Sequence, residues 1–318
     1  MESGKLIGML VLFLVIFHQN NLLFNGNETC KNYSFSFMNG NSCRFHQEAA
    51  SQQVKVMTFN IWHGGRETGE VEGPLRVVDV IRDSGADIVA MQETYGSGER
   101  IAGELGYYLY LRSDNLSILS RYPIVDTLDA YKPLHSGAVK VNVGGQDLVV
   151  ASNWLDYPID YWDMLEKGLR IDSAEWVHLQ EKNAATLRNV LRVLQPAIEN
   201  SANVPIVVCG DFNSGSHLDW VPETRLLNKG YAIPFPATRL MERSGFLDSF
   251  REIHPDPLEV RGITWTPAFP KAFQDRIDYI FYKGSTLKAV DSETIDTHPV
   301  KYPSDHAAVL TTFQIKQP

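Results

Sequence analysis

Five apolar segments of this sequence each carry a carboxylate, an amide or an imidazole at one end. Loops beyond strand ends can be polar while the strands hold them rigidly, so these residues are candidates for one shared site. A single Asp after a strand is more often a turn residue or a helix cap, so the set as a whole, and not any one member, indicates the site. The candidates are Asn60 after "VMTF", Glu93 after "IVAMQ", Asp211 and Asn213 after "PIVVCG", Asp278 in "RIDYIF", and Asp305 and His306 before "AAVLTTF".

Most of these candidates are oxygen donors, and no cluster of Cys or His accompanies them. Carboxylates and amides are hard ligands that suit Mg²⁺, Mn²⁺ or Ca²⁺ better than structural zinc. His306 adds one imidazole, which can exchange a proton near neutral pH. The residue types therefore predict a divalent-cation site beside one acid–base group.

The stretch "PIVVCGDFN" shows how a strand can deliver such groups. Asp211 and Asn213 are two residues apart, so on an extended chain their side chains leave on the same face. A carboxylate at the end of a buried strand is costly unless a cation or a bound water compensates its charge. Cys209, inside the apolar run, is predicted to be a buried and inert thiol.

The elements that must position these residues can be read from the hydrophobic pattern. Short strands alternate with helices throughout, without a repeat or an internal linker, which favours an α/β sandwich in one domain. Pro74 and Gly85 are expected near the start and the end of one helix, and Pro196 is expected to end another. The predicted elements include strands over 54–61 and 88–91 and helices over 98–105, 173–195 and 238–245.

The N-terminus predicts export. Its apolar run, Leu6 to Phe17, follows Lys5 and is shorter than the roughly 20 residues that a spanning helix needs. We therefore expect a signal peptide over 1–24, with an uncleaved signal anchor as the alternative, a poorly ordered polar leader over 25–52, and the catalytic domain over 53–316. The predicted location is secreted or extracellular; membrane anchoring is the less favoured alternative.

Other features agree with an oxidising, secretory route. Sequons for N-glycosylation begin at Asn27, Asn32 and Asn115. In such a compartment Cys30 and Cys43 could close a small loop, worth ~3 kcal/mol in the chain-entropy model.

The net charge of −9, with no Lys/Arg-rich run, counts weakly against tight non-specific binding of polyanions. It does not exclude phosphate chemistry through a bound cation, which reverses the local field.

The motifs "TFNI", "MQE", "SILSRYPI", "CGDFN", "RIDYIF" and "YPSDHAAV" together resemble the endonuclease/exonuclease/phosphatase superfamily, which is similar to deoxyribonuclease I in fold. The resemblance covers about 54–314. It implies a four-layer α/β/β/α sandwich with two central mixed sheets and a single catalytic domain. It also implies metal-dependent cleavage of a phosphoester by water.

The resemblance assigns roles to the candidates. Glu93 resembles the principal Mg²⁺ ligand, with Asn60 beside it, and Asp305 would lie next to the metal or the water. Mn²⁺ or Ca²⁺ is an alternative cofactor. For the remaining candidates, the resemblance implies that Asp211 orients or deprotonates the attacking water, that Asn213 holds a phosphate oxygen, and that Asp278 orients and stabilises a charged His306.

One position departs from the family pattern. In "ASNWLDY", Trp154 stands where many members carry a second catalytic histidine, and an indole has no lone pair for acid–base work. Either the enzyme works with one histidine, or His63 or His217 takes the second place, or the protein binds without catalysis.

The insertion that follows Trp154 is rich in aromatic residues. Tyr157, Tyr161 and Trp162 could stack on bases, cage a quaternary ammonium or contact a membrane surface, or they could simply pack the insertion onto the domain.

The resulting functional prediction is a divalent-cation-dependent phosphodiesterase acting on nucleic acid or a nucleotide. The first alternative is a sphingomyelinase or phospholipase C-type enzyme acting on a phospholipid headgroup, although no long apolar hairpin for bilayer insertion is visible. The second alternative is an inactive binding protein that retains the fold. No obligate protein partner is implied.

Overall fold

Two six-stranded β-sheets form the middle of the protein, in a computed structural model that describes residues 51–316. The predicted signal peptide, most of the predicted leader, the sequons at Asn27 and Asn32, and Cys30 and Cys43 lie outside the described residues. The strands are β1 (Ser51–Asn60), β2 (Ile88–Gln92), β3 (Tyr108–Leu111), β4 (Leu116–Ser120), β5 (Ile124–Leu128), β6 (Ser136–Val143), β7 (Gln146–Trp154), β8 (Ile206–Asp211), β9 (Leu247–Asp248), β10 (Asp278–Lys283), β11 (Leu287–Ile295) and β12 (Ala308–Lys316).

Helices occupy the connections between these strands. The α-helices are α1 (Glu72–Ser84), α2 (Gly98–Leu105), α3 (Tyr161–Glu166), α4 (Ser173–Val193), α5 (Gln195–Glu199), α6 (Pro236–Arg243) and α7 (Ser249–Ile253), and the 3₁₀ helices are His63–Thr68 and Pro222–Thr224.

Both sheets are mixed. The first has the strand order β11-β12-β1-β2-β4-β3 and the second has the order β5-β6-β7-β8-β10-β9. In each sheet one central pair is parallel, β1 with β2 and β7 with β8, while the other neighbours are antiparallel. As a result, the carboxyl ends of β1 and β2 lie at the same edge of the first sheet as the amino end of β12. In the second sheet, the carboxyl ends of β7 and β8 lie at the same edge as the amino end of β10.

The apolar side chains divide into layers that match this arrangement. Buried residues such as Val56, Ile118, Val150 and Ile280 pack between the sheets. A second cluster joins the outer face of the first sheet to α1 and α2, and a third joins the second sheet to α4 and α6. The predicted four-layer α/β/β/α sandwich in a single domain is confirmed.

Several elements differ from the sequence expectation; for example, the helix expected over 238–245 is α6, Pro236–Arg243. β1 begins at Ser51, three residues earlier than expected, because it pairs with β12 as far as Lys316. The helix expected over 173–195 ends at Val193, and Pro196 lies in the first turn of α5, where its missing N–H breaks no helical hydrogen bond. The aromatic insertion contains α3, which the pattern did not reveal.

The described residues contain no helix that is both long and apolar enough to cross a membrane.

A buried ion-pair network fixes the start of β10, the strand that carries Asp278. The guanidinium of Arg276, 1% exposed, donates to Asp219 Oδ2 at 2.7 Å and to Asp248 Oδ1 at 3.1 Å. Without Arg276, Asp248 would be buried without its counter-charge, whereas Asp219 would keep its pair with the buried Arg251.

We therefore expect Arg276→Met to lower the free energy of unfolding by about 3–5 kcal/mol. Arg82→Met is the matched control, because Arg82 Nη1 also pairs with a carboxylate, Asp79 Oδ1, at 3.0 Å, but its side chain is 52% exposed. The loss in free energy of unfolding should therefore be below about 1 kcal/mol. Urea unfolding at pH 7.5 measures both, and equal losses would contradict this account.

Candidate active site

The predicted site residues meet at one edge of the sandwich. Asn60 ends β1, Glu93 directly follows β2, and Asp211 ends β8. Asp278 begins β10 directly opposite Asp211, and His306 lies two residues before β12. The sheet topology thus brings together side chains that are up to 246 positions apart in the sequence, counting from Asn60 to His306 (306 − 60).

Asn60 joins the two sheets at this edge. Its Nδ2 donates to Glu93 Oε1 at 3.2 Å and to Asp211 Oδ2 at 3.1 Å, while its Oδ1 accepts from the backbone N–H of Trp62 at 3.1 Å. The side chain is fully buried. In this arrangement Asn60 faces the carboxylates with its donor group, so it orients Glu93 and Asp211. The prediction that Asn60 belongs to the metal site is changed accordingly, since its Oδ1 is taken by the N–H of Trp62.

His306 and Asp278 form a buried pair, with 2.9 Å between His306 Nδ1 and Asp278 Oδ2. Burial alone would lower the pKa of His306, but the charge and hydrogen bond of Asp278, assisted by Asp211 and Asp305, raise this pKa to about 10. The imidazole is therefore positively charged at neutral pH.

The pKa of Asp211 is raised as well. Burial, and next the negative charge of Asp278, raise the pKa of Asp211 to about 7, although His306 and the hydrogen bonds from Asn213 N–H and Asn60 oppose this. A carboxylate with a pKa near neutrality can accept a proton from water more readily than an ordinary Asp.

Two carboxylates of the site, Asp278 and Asp305, each have one buried oxygen, Oδ1, without a hydrogen-bond partner in the described residues. Burial, with the charge of Glu93, raises the pKa of Asp305 to about 6. Donor atoms of Asp211, Asp278 and His306 all lie within 4.8 Å of one another. The unpaired oxygens of Asp278 and Asp305, beside the further acids Glu93 and Asp211, fit a divalent cation.

A cleft of about 320 Å³ opens above these groups. Acidic and amide side chains line one part, and aromatic rings line the other. Among the described residues that line the cleft, none is Lys or Arg. The lining residues are Trp62, His63, Glu93, Trp154, Tyr157, Trp162, Asp211, Asn213, Trp265, Ile277, Asp305 and His306.

Several predicted contact residues lie in this cleft. His63 stands at its rim, 56% exposed, with Nδ1 2.8 Å from Glu67 Oε1 and Nε2 3.8 Å from Glu93 Oε2. Asn213 lines the cleft and donates through Nδ2 to the carbonyl of Leu155 at 3.1 Å. Trp154, Tyr157 and Trp162 also line the cleft.

Two predicted contact residues do not reach the cleft, and these predictions are corrected. Tyr161 is fully buried and donates through its hydroxyl to Asp275 Oδ2 at 2.7 Å, so it packs the insertion onto the domain. His217 is outside the cleft lining, with its two ring nitrogens bonded to Thr238 Oγ1 and Glu242 Oε2.

The sequon at Asn115 is also corrected. Its side chain is 2% exposed, with Oδ1 accepting from the backbone N–H of Glu93 at 3.0 Å and Nδ2 donating to the carbonyl of Leu134 at 3.0 Å. A buried amide cannot accept a glycan in the folded protein. Asn115 instead holds Glu93 in a backbone conformation that L-residues seldom adopt, with φ of 55°.

Trp62 and Trp265 are further cleft residues that sequence reasoning missed. The Trp265 ring lies edge-on to His306 with 5.0 Å between ring centroids. Both residues lie outside the regular strands and helices, and the sequence pattern offered no signal for them.

The comparisons agree with this geometry. An uncharacterised protein of Caenorhabditis elegans is 29% identical over 297 residues, covering 83% of this chain and 92% of that protein. An AP endonuclease from Archaeoglobus fulgidus has a TM-score of 0.56 and 20% identity over 81% of this chain and 98% of its own. TDP2 of D. rerio, complexed with single strand DNA product, has a TM-score of 0.55 and 18% identity over 82% of this chain and 98% of its own. These structures share the fold.

The family model described as "Endonuclease/Exonuclease/phosphatase family" matches residues 57–306, which contain every residue of the acidic cluster. Members of that family are hydrolases of phosphoester bonds, and the chain belongs to it.

Proposed function

We propose that this protein is a divalent-cation-dependent phosphodiesterase that breaks a P–O bond by attack of water. The observation that carries the proposal is that donor atoms of Asp211, Asp278 and His306 lie within 4.8 Å of one another beside an open cleft, which Asp211 and His306 line. A purely structural cluster of buried acids would be expected to have its oxygens paired, whereas Asp278 and Asp305 each keep one unpaired in the described residues.

Glu93 and Asp305 would hold the cation, with Asn60 and Asn115 fixing Glu93 from either side. When bound, the cation supplies positive charge that neutralises the phosphate and stabilises a leaving oxygen. Mg²⁺ is the proposed ion, with Mn²⁺ or Ca²⁺ as alternatives, because the donors are hard oxygens.

The remaining groups act on the water and the phosphate. Asp211 accepts a proton from the water whose oxygen attacks phosphorus, and the bond from phosphorus to one ester oxygen breaks. The charged His306, held by Asp278, stabilises negative charge on the phosphate oxygens as the transition state forms. The departing alkoxide takes a proton from solvent, and the products are a phosphomonoester and an alcohol.

Trp154 lines the cleft at the position where many family members carry a second histidine, and its indole cannot exchange protons. His63 lies at the rim, close to Glu93. We therefore favour a mechanism in which His306 is the one essential imidazole.

Nucleic acid or a nucleotide is the first candidate substrate, supported by the activities named for the structural neighbours. A small phosphodiester such as a phospholipid headgroup is the second candidate. It is favoured by the lack of Lys and Arg among the described lining residues, because polynucleotide binding relies on basic contacts to several phosphates. Secretion remains a proposal supported by the N-terminal apolar run.

Asp211→Asn should lower the rate of bis-p-nitrophenyl phosphate hydrolysis with Mg²⁺ at least about 100-fold, because it removes the proton acceptor. The folded state raises the pKa of Asp211, so its ionised form destabilises the fold at pH values above that pKa. The variant's thermal midpoint at pH 8 should therefore equal or exceed that of wild type. The control Asp126→Asn changes an exposed acid on β5 and should alter neither quantity. Activity within twofold of wild type would contradict the role.

Added Mg²⁺ or Mn²⁺ should raise the thermal midpoint of wild type, since a ligand of the native state stabilises it by about 2.7 kcal/mol at 100 times its Kd. Glu93→Gln should abolish this rise, because it removes the charge of the principal ligand. Glu104→Gln, an exposed acid on α2, should retain it. A rise of equal size in Glu93→Gln would place the cation elsewhere.

Asn115→Ala should weaken Mg²⁺ binding about 10–100-fold by calorimetry, since residues that orient a metal ligand typically contribute that much. Asn203→Ala, an exposed amide in a loop, is the control. Unchanged binding in a folded Asn115→Ala protein would show that Glu93 holds its position without this hydrogen bond.

A further inference from the structure

The aromatic part of the cleft stands next to the acidic cluster. It consists of one buried ring, that of Trp162, and several rings around it that are more exposed to solvent. Trp162 is only 4% exposed and packs between Tyr161, at a centroid distance of 4.0 Å, and Tyr157, at 5.6 Å. Tyr157 keeps half of its side chain exposed, and Trp154 and Trp265 are partly exposed.

Trp265 connects this aromatic wall to the catalytic imidazole. Its ring centroid lies 6.0 Å from that of Trp162, at an interplanar angle of 51°, and 5.0 Å from that of His306, at 63°. A group bound against Trp265 would therefore lie next to His306, the imidazole proposed to stabilise the phosphate oxygens.

The ring geometry leaves no slot in which a base could stack between two of the described rings. Tyr157 and Trp162 are nearly parallel, with an interplanar angle of 9°, but their 5.6 Å separation leaves no room for a third ring between them. Trp265 is inclined to its neighbours. Inclined faces can surround a rounded ammonium group from several sides.

The charges favour a cation. The cleft is lined by Glu93, Asp211 and Asp305, and within residues 51–316 no Lys or Arg lies over any of its aromatic rings. Burial raises the pKa of Tyr157, and so does the negative charge of Asp160 and Asp163, two acids that lie close to this wall. Lys167 pairs with Asp163, whereas Asp160 caps α3 by accepting from the backbone N–H of Asp163.

We propose that Trp154, Tyr157 and Trp265 form a corner that binds an alkylammonium group of the substrate, such as choline. Aromatic faces attract quaternary ammonium ions without needing hydrogen bonds. The assignment rests on the phosphodiesterase activity proposed for this cleft. Water attacks phosphorus, the bond to the other ester oxygen breaks, and the phosphoalkylammonium product remains in the cleft while the alcohol leaves.

The test compares two esters that share one leaving group. One is p-nitrophenyl phosphorylcholine, and the other is its neutral isostere, in which a tert-butyl group replaces the trimethylammonium. Wild type should have a kcat/KM about 10-fold higher for the choline ester, as a desolvated cation–π contact provides. Tyr157→Leu and Trp265→Leu should bring the ratio towards one, while Tyr108→Leu, an equally exposed tyrosine on β3, should leave it unchanged. Using the ratio removes any effect of a variant on the chemical step.

Two sources of the choline group are then separated by assaying glycerophosphocholine and vesicles of phosphatidylcholine or sphingomyelin; a preference in either arm supports the corner. If wild type hydrolyses both p-nitrophenyl esters with equal kcat/KM, the corner is overturned and the phosphodiesterase activity stands. Equal kcat/KM for the two esters together with faster cleavage of plasmid DNA would lead to the same conclusion.

If neither ester is hydrolysed, binding decides the corner separately, and the proposed function fails only if bis-p-nitrophenyl phosphate and plasmid DNA are not hydrolysed either. Tetramethylammonium should quench the tryptophan fluorescence of wild type at constant ionic strength, more weakly in Tyr157→Leu and Trp265→Leu. Identical titrations in wild type and both variants would refute the corner.

Discussion

The hydrogen bonds from Asn60 to Glu93 and Asp211 tie the two sheets together where buried negative charge is most concentrated. Asp211 and Asp278 stand opposite each other on neighbouring strands, and both are buried. Such a pair is tolerated because Asn60 donates to one member and the charged His306 donates to the other. The rest of the site follows from this balance, including the raised pKa values of Asp211 and His306 and the fit to a cation.

Two buried supports outside the cleft, Arg276 and Asn115, hold the catalytic groups in position. Arg276 anchors the start of β10 in the interior, and Asn115 holds Glu93 in a left-handed backbone conformation. Both supports are buried and neither lines the cleft, so they position catalytic groups without contacting a substrate. Stability is given up at the acidic cluster and is supplied by the packed layers on either side.

The sequence predicted the layered fold and the acidic cluster because each group follows or precedes a strand that its own hydrophobic pattern reveals. It could not predict Asn115 as a support for Glu93, because the same residue also matches a sequon and only tertiary contacts show that it is buried. Trp265 and Tyr161 illustrate the same limit. Both are aromatic residues outside strands, yet one lines the cleft and the other is fully buried, and local sequence does not distinguish these outcomes.

The central claim is that water attacks phosphorus at this cluster. Hydrolysis of a phosphodiester in ¹⁸O-labelled water, followed by mass spectrometry of both products, tests it most directly. The account predicts one ¹⁸O atom in the phosphomonoester, none in the alcohol, and no turnover when divalent cations are chelated. Label in the alcohol, or undiminished turnover in the presence of chelator, would contradict it.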